Sequence, residues 1–124
     1  MHLSGKAALV TGASRGVGAA TALQLAKAGC RVAINFNQSA DRAETVADQC
    51  RKAGVEAILV QGDVAEDSAC RAMVQQAVEA FGGLDILINN AGTTRFIDFP
   101  DLDAVTDEDW ERIFAVNLKG PFQM

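Results

Sequence analysis

The sequence predicts an α/β chain, a doubly wound parallel sheet with helices on both faces, and three observations predict it. Four short apolar runs recur along the 124 residues, each too brief for a helix and suited to strands buried on both faces. Three amphipathic segments of ordinary helix length lie between them, the alternation from which right-handed βαβ units are built. A glycine-rich turn follows the first run directly.

In chain order, Ala7, Ala8, Leu9 and Val10 form the first strand, and Thr11-Gly12 end it. Gly16 and Gly18 open a helix carrying Val17, Ala20 and Leu23 as far as Ala28, with Gly29 as its stop. Arg31 to Phe36 is the second strand. Ser39 stands where it can cap a helix in which Ala43, Val46, Ala47 and Cys50 share a face, ending near Gly54. Glu56 to Gln61 is the third strand. From Glu66 to Phe81 the stripe is Met73, Val74, Ala77, Val78 and Phe81, and Gly82-Gly83 stops it. Asp85 to Asn90 (DILINN) is the fourth strand, and residues 93–105 read as a solvated loop containing Pro100. Thr106 then precedes Asp107, Glu108 and Asp109, an acidic first turn. Trp110, Ile113, Phe114, Asn117 and Leu118 follow at helical spacing until Pro121 kinks or ends the helix.

The length suits one domain with a core of its own. Net charge is −5 with the signs interspersed, which lacks the basic face that nucleic acid demands. No apolar run approaches a membrane span, and the N-terminus lacks a secretory pattern. Cys30, Cys50 and Cys70, an odd number with no C-x-x-C pair, point to a reducing compartment and thiols buried as small hydrophobes. A single histidine near the terminus gives metal ligation no support.

Strand, glycine turn and helix start aim backbone N–H groups and the positive end of a helix dipole at an anion. Gly12 permits the turn, while Gly16 and Gly18 let a phosphate and the neighbouring strand come close. The spacing G-x-x-x-G-x-G departs from G-x-G-x-x-G, and no Lys-Ser or Lys-Thr follows to make a Walker loop. A glycine-rich turn that binds nothing is the competing reading. Ligands of open parallel sheets lie beyond the carboxyl ends of the strands, which here supply Gly12 to Gly18, Phe36-Asn37, Asp63-Val64 and Asn90-Ala91-Gly92. Asp63 can accept from an adenine amino group or serve as a turn aspartate. Asn89-Asn90 can orient backbone toward a ligand or satisfy a strand end.

Cofactor choice turns on the end of the second strand. An acid about 20 residues beyond the glycines binds the ribose 2′-hydroxyl of NAD, and Asn35 to Ser39 contain none. That absence admits a 2′-phosphate, with which Arg15 can pair; a solvated loop charge is the plainer role for Arg15. NADP(H) is therefore favoured over NAD(H).

Thr11-Gly12-Ala13-Ser14-Arg15-Gly16-Val17-Gly18, Asp63-Val64, Asn89-Asn90-Ala91-Gly92 and Val116-Asn117-Leu118-Lys119-Gly120, in that order and at those spacings, resemble the short-chain dehydrogenase/reductase family over essentially the whole chain. The resemblance implies a three-layer Rossmann-type fold with its first four strands ordered 3-2-1-4, and residues 1–124 as a single NAD(P)-binding domain. It implies that Gly12 to Gly18, Ser14, Arg15 and Val17 among them, bind the pyrophosphate and that Asp63 contacts the adenine. It also implies that Asn90, Ala91 and Gly92 flank the adenosine. Asn117 matches the family's catalytic asparagine, which kinks its helix and holds a water in the proton relay; an asparagine easing a bend ahead of Pro121 is compatible with that. TGASRGVG, the Phe36 region and DILINNAG are similar to the 3-oxoacyl-carrier-protein reductase branch. That likeness implies a cytoplasmic, NADPH-dependent homo-oligomer, a tetramer or dimer, acting on a small carbonyl or alcohol.

The family's acid/base tyrosine, its lysine four residues on, and its serine would follow Met124, and this sequence contains no tyrosine. Without a tyrosine to give the carbonyl oxygen its proton, these residues are expected to bind a dinucleotide without turnover. The strand DILINN, interior in the family's larger sheet, becomes an aggregation-prone edge here, so the sequence reads as part of a longer protein. The alternative is a non-catalytic dinucleotide-binding or interaction module.

Overall fold

The structure, a computed structural model, describes residues 2–124. Strands β1 (Ala7–Val10), β2 (Arg31–Phe36), β3 (Ala57–Gln61) and β4 (Ile86–Ile88) form one parallel sheet ordered β3-β2-β1-β4, the order the resemblance implies. Leu9 of β1 lies opposite Ala33 of β2 and Leu87 of β4. Successive strand residues point to opposite faces, which divides the core in two. Val10, Val32 and Ile34 pack with Ala22, Ala26, Ala43 and Val46 of helices α1 (Gly16–Lys27) and α2 (Ala40–Lys52). Leu9, Ala33 and Val60 pack on the other face with Cys70, Met73 and Ala77 of helix α3 (Asp67–Phe81). Three layers result, as expected.

Three local expectations change. Ser39 occupies the N-cap position of α2, but its hydroxyl makes no capping bond, and Asp41 in the first turn meets the helix dipole instead. On α3 the buried stripe is Cys70, Met73, Ala77 and Phe81, while Val78 is exposed, because one residue of helix turns it about 100° from Ala77. Strand β4 is shorter than DILINN, and side-chain bonds join the backbone bonds at its flanks. The Asp85 carboxylate accepts from the Ala7 N–H, and the Asn90 N–H donates to Thr11 Oγ1.

The loop after β4 holds one short 3₁₀ turn at Leu102–Ala104. Helix α4 (Asp107–Phe114) begins on a reciprocal capping box between Thr106 and Asp109. Pro121 does not end the helix. A π turn at Ala115–Lys119, in which the Gly120 N–H reaches back to the Ala115 carbonyl, leads into α5 (Gly120–Gln123). Proline has no N–H to donate and its ring crowds the carbonyl four residues back, so widening the turn spares the helix a break. All three cysteines are buried and free, and burial pushes each thiol above its ordinary pKa, leaving them uncharged and unreactive. Among the described residues, no helix is long and apolar enough to cross a membrane.

Candidate functional site

Two buried polar side chains, Thr11 and Asn35, tie the strand ends together, a role the sequence reading assigns to neither. Thr11 Oγ1 accepts from the N–H groups of Asn90 at 3.0 Å and Ala91 at 2.9 Å. Asn90 returns the contact, its Nδ2 donating to the carbonyls of Thr11 and Gly12, both at 3.1 Å. On the other side Asn35 Oδ1 accepts from the Gly12 N–H at 2.9 Å, and Asn35 Nδ2 donates to the carbonyls of Val60 and Gly62 at 3.1 Å. Asn35 is only 2% exposed. These three bonds are what admit an amide to a strand interior, since a buried polar group left unpaired is costly. The signal for it was an asparagine inside the otherwise apolar RVAINF run.

The glycines of the loop divide their work. Gly12 has φ of +60°, and a Cβ there would sit 2.9 Å from the Ala91 Cα, so it serves both turn and close approach. Gly16 has φ of +59°, which favours glycine, and no protein atom lies within 4 Å of where its Cβ would stand. At Gly18 a Cβ would fall 2.4 Å from the Gly12 carbonyl oxygen and 2.5 Å from Asn90 Nδ2. That contact seats the start of α1 against the loop. Arg15 at the N-cap of α1 makes no side-chain capping bond, so among the described residues the start of α1 is left uncapped.

These elements border an open cleft of about 700 Å³ at the carboxyl ends of the strands. The predicted cofactor-binding residues line it, with one exception: Gly18 lies behind the loop as its packing contact. Phe36 borders the cleft while being 7% exposed and part of the α1–α2 core. Asn117 does not line the cleft. Its Oδ1 accepts from the Thr93 N–H at 2.7 Å and its Nδ2 donates to the Thr93 carbonyl at 2.8 Å, so the amide fastens the π turn to a cleft-lining residue. Arg112 of α4 lines the cleft and went unnoticed in the sequence, although it sits one helical turn before Val116. Its Nη1 donates to Asp63 Oδ2 at 2.7 Å, and Asp63 Oδ1 accepts from the Ala65 N–H at 3.0 Å. Burial pushes the Asp63 carboxyl up, but the Ala65 N–H and the Arg112 guanidinium outweigh it and hold the pKa below its ordinary value. Among the described residues, no group of His, Cys, Asp or Glu is arranged to hold a metal ion.

A parallel sheet ordered 3-2-1-4, with a glycine loop and a free helix start at the mouth of its cleft, defines an α/β protein of the nucleotide-binding kind. The chain belongs to the short-chain dehydrogenase family, whose pattern it matches over residues 6–124. It is 43% identical over 119 residues to a 3-oxoacyl-acyl-carrier-protein reductase of Staphylococcus aureus, covering 94% of this chain and 46% of that one. A versicolorin reductase of Emericella nidulans is 43% identical over 121 residues, 98% of this chain and 45% of that enzyme. Among solved structures, a short chain dehydrogenase from Burkholderia cenocepacia in complex with NADP superposes with a TM-score of 0.93 at 45% identity, covering 99% of this chain and 49% of that one. The chain thus spans about half the length of these relatives.

Proposed function

We propose that this chain is the NADP(H)-binding part of an oxidoreductase that moves hydride between a nicotinamide and the carbonyl or hydroxyl carbon of a small molecule. The observation that carries the reading is the cradle at Gly18. No side chain fits there, and the glycine loop it seats lines the cleft with Arg15 at the uncapped start of α1, whose first-turn N–H groups would serve as donors. That donor set fits a pyrophosphate. Asp63 would take the adenine amino group, and Asn90 to Gly92 would flank the adenosine. NADP is favoured because no carboxylate follows β2 before Asp41 and Arg15, an exposed guanidinium, can pair with a 2′-phosphate; the NADP held by the Burkholderia relative supports the same choice.

When bound, the dinucleotide supplies or takes the hydride. This chain's residues bind it, keep the loop rigid and position Thr93 through Asn117. They hold no proton donor of the kind the family uses, for the 124 residues lack tyrosine, so no turnover is expected from them alone. Asn117 would act in the proton relay of the whole protein. Similarity to the Staphylococcus reductase makes a 3-oxoacyl thioester the first substrate to try. Family membership favours this reading over a non-catalytic module. The exposed Trp110 and Phe114 of α4, stacked with ring centroids 5.7 Å apart, support pairing with a second copy. Free buried cysteines suit the cytoplasm. A fluorescence titration tests the cofactor reading: NADPH should bind saturably, and Arg15→Met should weaken NADPH by about tenfold while sparing NADH. Equal losses for both would reject the assignment of Arg15, and no saturable binding by the unaltered chain would reject the reading.

A further inference from the structure

We propose that Arg112 is a positioning residue for adenine recognition, holding the Asp63 carboxylate in the orientation that receives the base's amino group. The inference rests on the dinucleotide reading of the cleft. Asp63 follows β3 on a turn, where the Ala65 N–H alone would leave its carboxylate a single anchor. Arg112 Nη1, 49 residues away in sequence, provides the second at 2.7 Å. A carboxylate has about four acceptor positions, so one remains on each oxygen for a ligand. Both residues line the cleft.

A merely stabilising role is a poor explanation of this pair. The Arg112 and Asp63 side chains are 47% and 26% exposed, and ion pairs so wetted contribute little to stability. The helical segment carrying Arg112 is already fastened to the same turn at two other points. Gln123 Nε2 donates to the Val64 carbonyl at 2.9 Å, and Gly120 packs so closely on Val64 that a Cβ would come within 2.9 Å of its Cγ2. What Arg112 adds is direction. The guanidinium also favours the ionised, acceptor-only form of Asp63. An acceptor-only group welcomes the 6-amino donor of adenine and repels the 6-oxo acceptor of hypoxanthine.

The test compares the affinities of the full chain for NADPH and for its hypoxanthine analogue, in the unaltered protein, Arg112→Met and Arg112→Lys. Far-UV circular dichroism melts follow the fold in each. The unaltered protein should prefer the adenine form by about tenfold or more, the order of one charge-assisted hydrogen bond. Arg112→Met should shrink that preference to within about threefold, chiefly by weakening NADPH, and Arg112→Lys should restore part of it by returning the charge without the planar fork. Full preference retained in Arg112→Met overturns the proposal. So does an equal loss for both ligands accompanied by a lower melting temperature, which would make Arg112 a brace. Equal affinity in the unaltered protein removes Asp63 as the reader, and no saturable binding of either ligand rejects the dinucleotide reading itself.

Discussion

The stretch from β1 to β4 and the stretch from Thr93 onward are held by different physics. In the first, strands β1 and β2 are almost wholly buried and two helices on one face and one on the other close over them. In the second, α4 buries no residue, and Phe96 and Phe99 are 96% and 95% exposed. Beyond the core contacts of Val116, Gly120 and Met124, polar clasps carry it: Asn117 on Thr93, Arg112 on Asp63, Gln123 on Val64 and the Thr106–Asp109 capping box. The difference teaches that burial builds the platform, whereas directional bonds place the outer wall of the cleft.

The sharpest way to break the comparison is Asn35→Ala. It strips partners from the Gly12 N–H and from carbonyls after and within β3, and should cost about 3 kcal/mol of global stability, read as parallel losses in a denaturant melt by far-UV circular dichroism and by fluorescence. Asn117→Ala should act more weakly and in one place, loosening the second stretch by about 1 kcal/mol. Trp110, the only tryptophan, lies in α4 and reports that stretch alone. Its emission should change at a lower denaturant concentration than the circular dichroism; coincident transitions would mean that the two stretches unfold as one.

The smallest effect is acidification. The Thr106 N–H holds Asp109 below its ordinary pKa of 3.8, and the Ala65 N–H and Arg112 do the same for Asp63 against the cost of its burial. A carboxyl depressed in the folded state stabilises fully above its unfolded pKa and loses that contribution as pH falls through the folded value. Trp110 emission should therefore shift at pH below 3.8 and before the sheet signal is lost. Asp85, bonded to the Ala7 N–H, carries a similar depression in the first stretch, so a simultaneous loss of both signals would place the weak point there instead.

Much of the first stretch was legible because its causes are local. The strand β2 has the bounds that its apolar run suggests, and the helices stop where Gly29 and Gly82 permit the chain to turn. The cleft residues were legible from the glycine loop and the strand ends. Thr11, Asn35 and Arg112 were not, because each finds its partner at sequence separations of 80, 23 and 49 residues, which no local pattern encodes. Pro121 misled for a related reason. A helix can absorb it by widening a turn, and packing against Val64 makes that worthwhile.

That widened turn has a geometric consequence. Residues spaced by four drift about 40° around an α-helix at each step, because 3.6 residues complete a turn. Arg112, Val116, Gly120 and Met124 are spaced by four, yet they meet Asp63, the α3-side core, Val64 and that core again. A uniform helix would have wound the last of them about 120° away from the first. The π turn, with more residues per revolution, winds the drift back. It acts as a phase correction that keeps one edge of the helical rod turned toward the Asp63–Val64 turn and the α3-side core.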